Sequence, residues 1–263
     1  MSGKKKIIVV GFPKSGNTWL TRLTAELVHC PAKGFLYHEN KPDVCIEGLE
    51  RVSDYDCFKS HHQYHELLNE DQVRSKIIYV LRDPRDVVLS GTSYFYNLNP
   101  IKVYHFKNLD LRQLVDIINY IYRKVLGERL MKKKMINAVL NGDSSVHHWC
   151  RVSWKKHMLP YIMKTHVLVV KYEDLLEDPF KESKRIVEFI GLKKDVDEIE
   201  KAIENQSFEV IKAKFRTRQQ KSKFNFLRKG SANQWRRRLS KKEKKVFLQK
   251  LGAEIRALMY KPV

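Results

Sequence analysis

The sequence predicts an α/β protein in which a central parallel sheet is flanked by helices in three layers. Three apolar runs rich in β-branched residues carry this prediction: KIIVVGF (6–12), KIIYVLR (76–82) and HVLVVKYE (166–173). None of them alternates polar with apolar residues, which is typical of strands buried on both faces. Each run is followed by a helix-like segment, and repeated strand–helix order favours a parallel sheet.

The remaining elements follow in chain order. The helices expected after the three strands cover Thr18–Val28, Asp83–Tyr94 and Pro179–Ile190, and a fourth short strand is expected at CFKSH (57–61). Two helices separated by LNGDSS are expected within 109–163. Ligands of open parallel sheets bind beyond the carboxyl ends of the strands. We therefore expect the polar residues at these strand ends to share one edge.

A last helix is predicted from Ser240 onward. Ser240 and Glu243 have the spacing of a capping box. Apolar residues at four-residue spacing define one face of this helix, namely Phe247, Leu251, Ile255 and Met259. The preceding segment, 211–230, is basic, aromatic and poorly periodic. It reads as a disordered loop or as a lid that orders over an anion, and we predict a mobile lid.

Length and charge bound the class of protein. The 263 residues contain no convincing linker or repeat, so we expect a single domain over 1–263. With 51 Lys and Arg against 30 Asp and Glu, the formal net charge is +21, which favours anionic ligands. Part of that charge lies in runs such as MKKKM (131–135), which read as solvated helix faces.

The cysteines and the apolar runs bear on location. Four cysteines occur without a CxxC pair or zinc-like spacing, which favours reduced thiols and a cytoplasmic protein. The start MSGKKK is followed by too few apolar residues for a signal peptide and reads as the approach to a first strand. No segment has the apolar length of a membrane span.

The stretch IIVVGFPKSGNTWL (7–20) resembles a phosphate-binding loop with its lysine displaced. Gly11 and Gly16 are spaced as in the nucleotide-binding loop, but Asn17 stands where that loop carries lysine, and the lysine is Lys14. The strand ending at Arg82 supplies no plain metal-binding aspartate. We therefore expect a phosphate site built from cations alone, without a metal.

Four motifs, taken in order, resemble those of the sulfotransferases that use 3′-phosphoadenosine 5′-phosphosulfate (PAPS). They are PKSGNTW (13–19), LRDPRDVVLS (81–90), KYEDLLEDP (171–179) and FLRKGS (226–231). The chain is identified as a cytosolic-type member similar to the small bacterial ones. The resemblance implies a fold like that of the P-loop NTPases, PAPS as co-substrate and no metal.

The resemblance also implies which residues bind the nucleotide. The 5′-phosphosulfate would lie on the loop residues Pro13, Lys14, Ser15, Gly16, Asn17 and Thr18. The 3′-phosphate would be held by Arg82, Ser90, Arg228, Lys229 and the amide of Gly230. Aromatic residues near the base would be Trp19, Tyr172, Phe208 and Phe226, although core packing is the usual role of such a residue taken alone.

The lysine-x-histidine element within CFKSHHQ (57–63) implies the catalytic groups. His61 would be the general base, Lys59 would contact the sulfuryl oxygens, and Lys14 would neutralise the leaving phosphate. An imidazole titrates near neutral pH, which suits a base. His62 is the alternative base if the register is shifted by one residue. A metal bound by His61, His62 and His65 is a further alternative.

The acceptor and the rival functions stay open at this level. A small-molecule hydroxyl is the expected acceptor, with an amine as the alternative, and the oligomeric state is not predicted. Rival functions are a metal-dependent P-loop kinase or NTPase, a basic nucleic-acid-binding protein and an inactive binding module. The family's late motif continues with a second glycine and Asp-Trp-Lys, whereas this chain has Asn233, Gln234, Trp235 and Arg236.

Overall fold

The protein is built on a five-stranded parallel sheet. The computed structural model describes residues 4–38, 43–67, 75–98, 111–217 and 230–260. The spatial order of the strands is β2-β3-β1-β4-β5, and every neighbouring pair is parallel. In chain order the strands are β1 Lys5–Val10, β2 Ala32–Phe35, β3 Tyr55–Ser60, β4 Lys76–Leu81 and β5 Val167–Lys171. The predicted parallel sheet is confirmed.

Ten α-helices lie within the described residues. The first five are α1 Asn17–Val28, α2 Pro84–Leu98, α3 Leu111–Asn141, α4 Trp154–Ile162 and α5 Tyr172–Glu177. The others are α6 Pro179–Ile190, α7 Val196–Asn205, α8 Phe208–Thr217, α9 Trp235–Arg238 and α10 Lys241–Ala257. Two short 3₁₀ helices cover Tyr64–Leu67 and His148–Cys150.

The chain forms two compact units. The first comprises residues 1–83 with 156–233 and contains the whole sheet, whereas the second comprises 84–155 with 234–263. The boundary falls inside α4. The single domain expected from the sequence stays a prediction.

The first unit has helices on both faces of its sheet. Ile7 and Val9 of β1 and Ile78 of β4 are fully buried in the core that α1, α6 and α7 share with one face. Tyr79, the next residue of β4, is on the opposite face, where its ring stacks on Tyr161 of α4 at 4.7 Å. Alternate residues of one strand thus serve two cores, which explains why the strands show no polar alternation.

The second unit consists of helices. α2 packs on α3, and Arg85 in the first turn of α2 is fully buried with its guanidinium 3.5 Å from the Trp235 ring of α9. Asp86 accepts a hydrogen bond from the Trp235 amide at 3.0 Å. The carboxylate of Glu243 on α10 lies 2.9 Å from Lys132 of α3.

Several predicted elements need correction. β2 was not predicted, and β5 ends at Lys171 because Tyr172 begins α5. The capping box of Ser240 and Glu243 is confirmed, but Met259 is wrong as a member of the buried face. α10 ends at Ala257 and Met259 is 85% exposed.

The basic segment is also partly different from the prediction. Residues 211–217 of the predicted lid belong to α8. The basic composition of this stretch hides the pattern of a helix, in which Ile211 is a buried residue. Residues 218–229 lie outside the described residues, so the lid itself stays a prediction.

Two findings bear on the environment of the chain. All four cysteines are buried and free, and burial raises the pKa of Cys30 and of Cys150 to about 12. Among the described helices, none has a stretch both long and apolar enough to cross a membrane.

Candidate active site

The phosphate-loop residues lie at the carboxyl edge of the sheet, beside its central strand. β1 has β3 and β2 on one side and β4 and β5 on the other, so the connections change direction at β1. In open parallel sheets such a change of direction opens a crevice beyond the strand ends. The segment joining β1 to α1 stands at this crevice, as the sequence led us to expect.

The backbone of the loop is sharply curved. Lys14 and Gly16 have φ angles of 71° and 111°, and the Ser15 amide donates to the carbonyl of Phe12 at 3.1 Å. A side chain at position 16 would meet the Tyr172 ring at 2.5 Å. Glycine is required at position 11 for a different reason: its φ is ordinary, but a Cβ there would lie 2.6 Å from a methyl of Val80. One glycine serves the turn and the other serves packing.

The start of α1 is suited to an anion. Its N-cap is Gly16, which offers no side chain to the free N–H groups, and the first turn contains no acidic residue. The hydroxyl of Ser15 is buried and has no hydrogen-bond partner among the described residues. Free helix N–H groups and an unpaired hydroxyl form a cradle of donors that fits a phosphate or phosphosulfate group.

Asn17 has a role that the sequence did not indicate. Its Nδ2 donates to the carbonyls of Gly11 at 3.3 Å and Ser60 at 3.0 Å, and the side chain is buried. The amide therefore ties the end of β1 to the end of β3. This link occupies the position at which the nucleotide-binding loop carries its lysine.

Arg82 joins three parts of the predicted nucleotide site. One guanidinium nitrogen donates to the Lys14 carbonyl at 3.1 Å, and the other donates to the Ser231 carbonyl at 3.2 Å. Its Nε is buried without a partner among the described residues. The guanidinium carbon lies 4.2 Å from the centre of the Tyr172 ring, whose edge meets Trp19 at 5.8 Å. The strand-end residues of β4 and β5 therefore meet the loop.

A carboxyl group that the sequence reasoning missed lies beside Arg82. Glu173 accepts a hydrogen bond from the Asp83 amide through Oε1 at 3.0 Å, while its Oε2 has no partner in the described part of the chain. Burial, only partly offset by this bond, raises the pKa of Glu173 to about 7. This carboxyl is therefore partly protonated at neutral pH.

Lys59 lies under the loop and has an acidic partner. Its ammonium is 2.7 Å from both oxygens of Asp43, 3.4 Å from the Thr18 hydroxyl and 4.0 Å from the centre of the Phe35 ring. The ion pair with Lys59 offsets the burial of Asp43 and contributes to lowering the pKa of that carboxyl. The prediction of a site built from cations alone is wrong, because Asp43 brings a negative charge to it.

A hydrogen bond to the backbone fixes the ring of His61 and identifies Nδ1 as the donor nitrogen. Nδ1 lies 2.7 Å from the Gly11 carbonyl, which can only accept, so the proton is on Nδ1 and the lone pair on Nε2. Burial, with smaller contributions from Lys59, His157 and Lys14, holds the pKa of His61 well below 6.5. His61 is therefore neutral at pH 7 and carries its lone pair on Nε2, as a general base requires.

The neighbouring His62 is oriented differently. Its Nδ1 lies 2.8 Å from the Ser60 hydroxyl, and its carbonyl accepts from the hydroxyl of Tyr161 at 2.8 Å. Within the described ranges, no group of three or more His, Cys, Asp or Glu side chains is arranged to hold a metal. The predicted absence of a metal stays a prediction.

A buried histidine supports the backbone of His61. His157, on α4, has Nε2 3.1 Å from the His61 carbonyl and Nδ1 3.0 Å from the Tyr79 hydroxyl. Since the carbonyl only accepts, Nε2 donates to it and Nδ1 accepts from Tyr79. His157 is 96 residues from His61. A single sequence gives no local signal that would pair them.

Fewer contacts are known for the other predicted site residues, and some of these residues lie outside the described ranges. Gly230 has a φ of 52°, and a Cβ there would lie 3.4 Å from the Phe208 ring, so these two predicted residues are neighbours. Pro13 is buried in the loop. Ser90 lies on α2 in the second unit and is partly exposed. Phe226, Arg228 and Lys229 lie outside the described residues, so their predicted roles stay predictions.

Comparison with known proteins identifies the family of this chain. The family model described as "Sulfotransferase domain" matches residues 4–254. The chain is 25% identical to Sulfotransferase 1E1 of Bos taurus over 229 residues, covering 78% of this chain and 65% of the bovine protein. It is 23% identical to Sulfotransferase 2A2 of Rattus norvegicus over 264 residues, covering 92% and 81% of the two chains.

Solved structures share the fold. Mouse sulfotransferase SULT7A1 was crystallised with adenosine 3′,5′-bisphosphate (PAP). It superposes with a TM-score of 0.68 at 21% identity, covering 97% of this chain and 86% of the mouse chain. Retinol dehydratase in complex with retinol and PAP gives a TM-score of 0.61 at 17% identity, covering 97% and 82%. Because the family model matches nearly the whole chain, the chain belongs to the sulfotransferase domain family.

Proposed function

We propose that this protein transfers a sulfuryl group from PAPS to a hydroxyl of a small molecule, with an amine as the alternative acceptor. The observation that carries the proposal is the placement of His61. Its Nδ1 is 2.7 Å from the carbonyl of Gly11, at the start of the phosphate loop. The base and the predicted phosphosulfate cradle are therefore joined by one backbone group.

The chain offers donors for both ends of the nucleotide. Ser15 and the uncapped start of α1 suit the 5′-phosphosulfate, and Lys14 would neutralise the charge that develops on the phosphate. Arg82 has a buried Nε without a partner among the described residues, and a guanidinium suits a phosphate. We assign Arg82 and Gly230 to the 3′-phosphate, and the roles of Ser90, Arg228 and Lys229 stay predictions from the sequence.

PAPS supplies an activated sulfuryl group when bound. His61 would take the proton of the acceptor hydroxyl on Nε2 while the acceptor oxygen forms its bond to sulfur. The bond from sulfur to the 5′-phosphate oxygen breaks, and its electron pair stays on the phosphate. Lys59 would contact the sulfuryl oxygens from below the loop. Group transfers of this kind depend mainly on in-line placement and charge stabilisation.

The aromatic side chains of Trp19 on α1 and Tyr172 on α5 would receive the base. Tyr172 and Trp19 meet edge to face at 5.8 Å, and the Trp19 indole donates to the carbonyl of Gln206 at 3.0 Å. Their rings are held in place on two sides, by Arg82 and by Gln206. Rigid aromatic faces are suitable platforms for adenine.

The cytoplasmic location expected from the cysteine pattern belongs to the proposal as well.

Incubation of the protein with PAPS and a metabolite extract tests the reaction and the acceptor together. The expected result is one or more new products heavier by SO₃ in mass spectrometry, formed with PAPS and not with adenosine 5′-phosphosulfate. Heat-inactivated protein is the control. Phosphorylated products with Mg·ATP, and no sulfonated ones with PAPS, would point to the kinase alternative instead.

A further inference from the structure

Asp43 brings a carboxylate into contact with Lys59, a side chain assigned to sulfuryl transfer. Both of its oxygens lie 2.7 Å from the ammonium of Lys59. The lysine side chain is 5% exposed and the aspartate side chain 13% exposed, so water screens this pair weakly. No motif of the sequence includes Asp43.

The position of Asp43 is fixed by its own segment. Its Oδ1 also accepts the amide of Cys45 at 2.8 Å. Farther along, Glu47 and Ala32 exchange backbone hydrogen bonds at 2.9 and 3.2 Å, which attaches the segment to β2. Its Val44 carbonyl accepts from Arg22 of α1 at 3.1 Å. Asp43 is therefore held against Lys59 by the segment and is not a freely moving surface side chain.

The surroundings of the ammonium leave little room for another acceptor. An ammonium has three donor positions. Here Asp43 and the Thr18 hydroxyl face it, and the Phe35 ring lies 4.0 Å from it on a further side. A sulfuryl oxygen could bond to Lys59 only by displacing one of these groups. It would also approach a carboxylate of its own sign.

We propose that Asp43 is a specificity-determining residue that competes with the sulfuryl group for Lys59, an inference that rests on the proposed function. The competition concerns the sulfuryl group and not the phosphates, because Lys59 is assigned to the sulfuryl oxygens. Adenosine 3′,5′-bisphosphate (PAP) lacks that group. Asp43 therefore weakens the binding of the co-substrate PAPS relative to the binding of the product PAP.

The test measures PAPS and PAP affinities by calorimetry, without an acceptor, for the wild-type protein and for Asp43→Asn. The amide keeps the shape and can still accept from Cys45 and Lys59, but carries no charge. We expect PAPS to bind about tenfold more tightly to the variant, the order of one partly buried charge contact. PAP affinity should stay within about twofold, because its phosphates do not use Lys59.

Asp54→Asn is the matched control. It makes the same change in net charge, and Asp54 is exposed at the opposite end of β3, five residues from Lys59 or roughly 16 Å along the strand. Both affinities should be unchanged in this control. In a Lys59→Met background, the gain from Asp43→Asn should disappear, because the two side chains act as one pair.

The outcomes separate the inference from the proposed function. If Asp43→Asn leaves PAPS affinity unchanged or lowers it, or if PAP or the Asp54→Asn control shows the same gain, the inference is overturned. A gain that persists without Lys59 overturns it too. Asp43→Ser, which can still accept from Cys45, replaces Asp43→Asn if circular dichroism shows that variant unfolded. A wild-type protein that binds neither ligand would refute the proposed function itself.

Discussion

The two ends of the proposed nucleotide site are built in different ways. At the sulfuryl end, side chains are fixed by backbone carbonyls of adjacent strands: Asn17 bonds to Gly11 and Ser60, and His61 bonds to Gly11. At the ribose end, Arg82 reaches the carbonyl of Ser231, 149 residues along the chain. The other residues that the sequence predicts for that end are Ser90, Arg228, Lys229 and Gly230.

This difference indicates where chemistry and affinity are set. The register of β1 with β3 determines the positions of the base and of Lys59, since Val9 pairs with Lys59 and Val10 with Ser60. Small errors there would misplace reacting atoms. The ribose end depends on contacts between distant segments. We therefore expect variants at the sulfuryl end to reduce turnover, and variants at the ribose end to reduce affinity.

The largest effect is expected for His61→Ala. Loss of the base should lower kcat by about 10³-fold, within the range typical of a positioned acid or base. PAP affinity should be retained, because His61 bonds to the loop carbonyl and not to the expected phosphate positions. Steady-state kinetics and calorimetry measure the two quantities.

Two histidine variants serve as controls for that result. His65→Ala changes an exposed histidine of the same segment and should leave kcat unchanged. His62→Ala tests the alternative base. If His61→Ala keeps most of its turnover while His62→Ala loses it, the assignment of His61 is wrong.

Arg82→Lys should separate affinity from turnover. Lysine keeps the charge but cannot donate to both Lys14 and Ser231 from one planar group. We expect PAP to bind about tenfold more weakly, with a smaller change for AMP, which lacks the 3′-phosphate. Arg185→Lys, at a partly exposed arginine paired with Glu182, is the matched control. Equal losses for PAP and AMP would contradict the assignment of Arg82 to the 3′-phosphate.

His157→Phe tests whether the support behind His61 matters. The substitution removes the hydrogen bonds that His157 makes with the His61 carbonyl and the Tyr79 hydroxyl, which should lower the free energy of unfolding by about 1–3 kcal/mol. The kcat should fall while PAP affinity stays close to that of the wild type, a split that a general loss of folded protein would not give. His157→Gln keeps a donor for the carbonyl and should restore part of the kcat. A fall in PAP affinity with unchanged kcat would contradict this role.

Glu173→Gln should change the pH dependence of stability. Because the pKa of Glu173 is raised from 4.5 to about 7, the native state keeps a proton that the unfolded state has lost in this interval. The stabilising contribution is complete below pH 4.5 and is lost as the pH rises through about 7. Glutamine removes this loss, so the variant should be more stable than the wild type by about 1–2 kcal/mol at pH 8, after a discount for partial exposure.

Denaturant unfolding at pH 5 and pH 8 measures the effect of Glu173→Gln. The difference between the two proteins should shrink at pH 5, because Glu173 is then largely protonated in the native state. A variant that is equally stable, or less stable, at pH 8 would show that the carboxyl of Glu173 is not held protonated beside Arg82.

The sequence predicted the sheet edge because buried strands leave a strong pattern. Continuous β-branched runs located β1, β4 and β5, and the polar residues after them were correctly expected at one edge. β2 was missed because AKGF is four residues long and contains glycine. The helical start at Tyr172 was missed because no turn residue separates it from the apolar run of β5.

The contacts around the reacting groups could not be predicted from one sequence. Asp43 and Lys59 are 16 residues apart, and His157 is 96 residues from His61. Such pairs depend on how loops return to the sheet, and neither spacing has the period of a helix or strand. The use of Asn17 as a link between strand ends likewise depends on the pairing of β1 with β3.

The central claim is that two anion-binding sites hold a nucleotide phosphorylated at both the 3′ and the 5′ position. Calorimetric titration of the wild-type protein with PAP and with AMP, both without a divalent metal, tests it most directly. The account predicts saturable binding of PAP that is about a hundredfold tighter than that of AMP, as expected when a phosphate with arginine contacts is added. Equal affinities for the two nucleotides would contradict it.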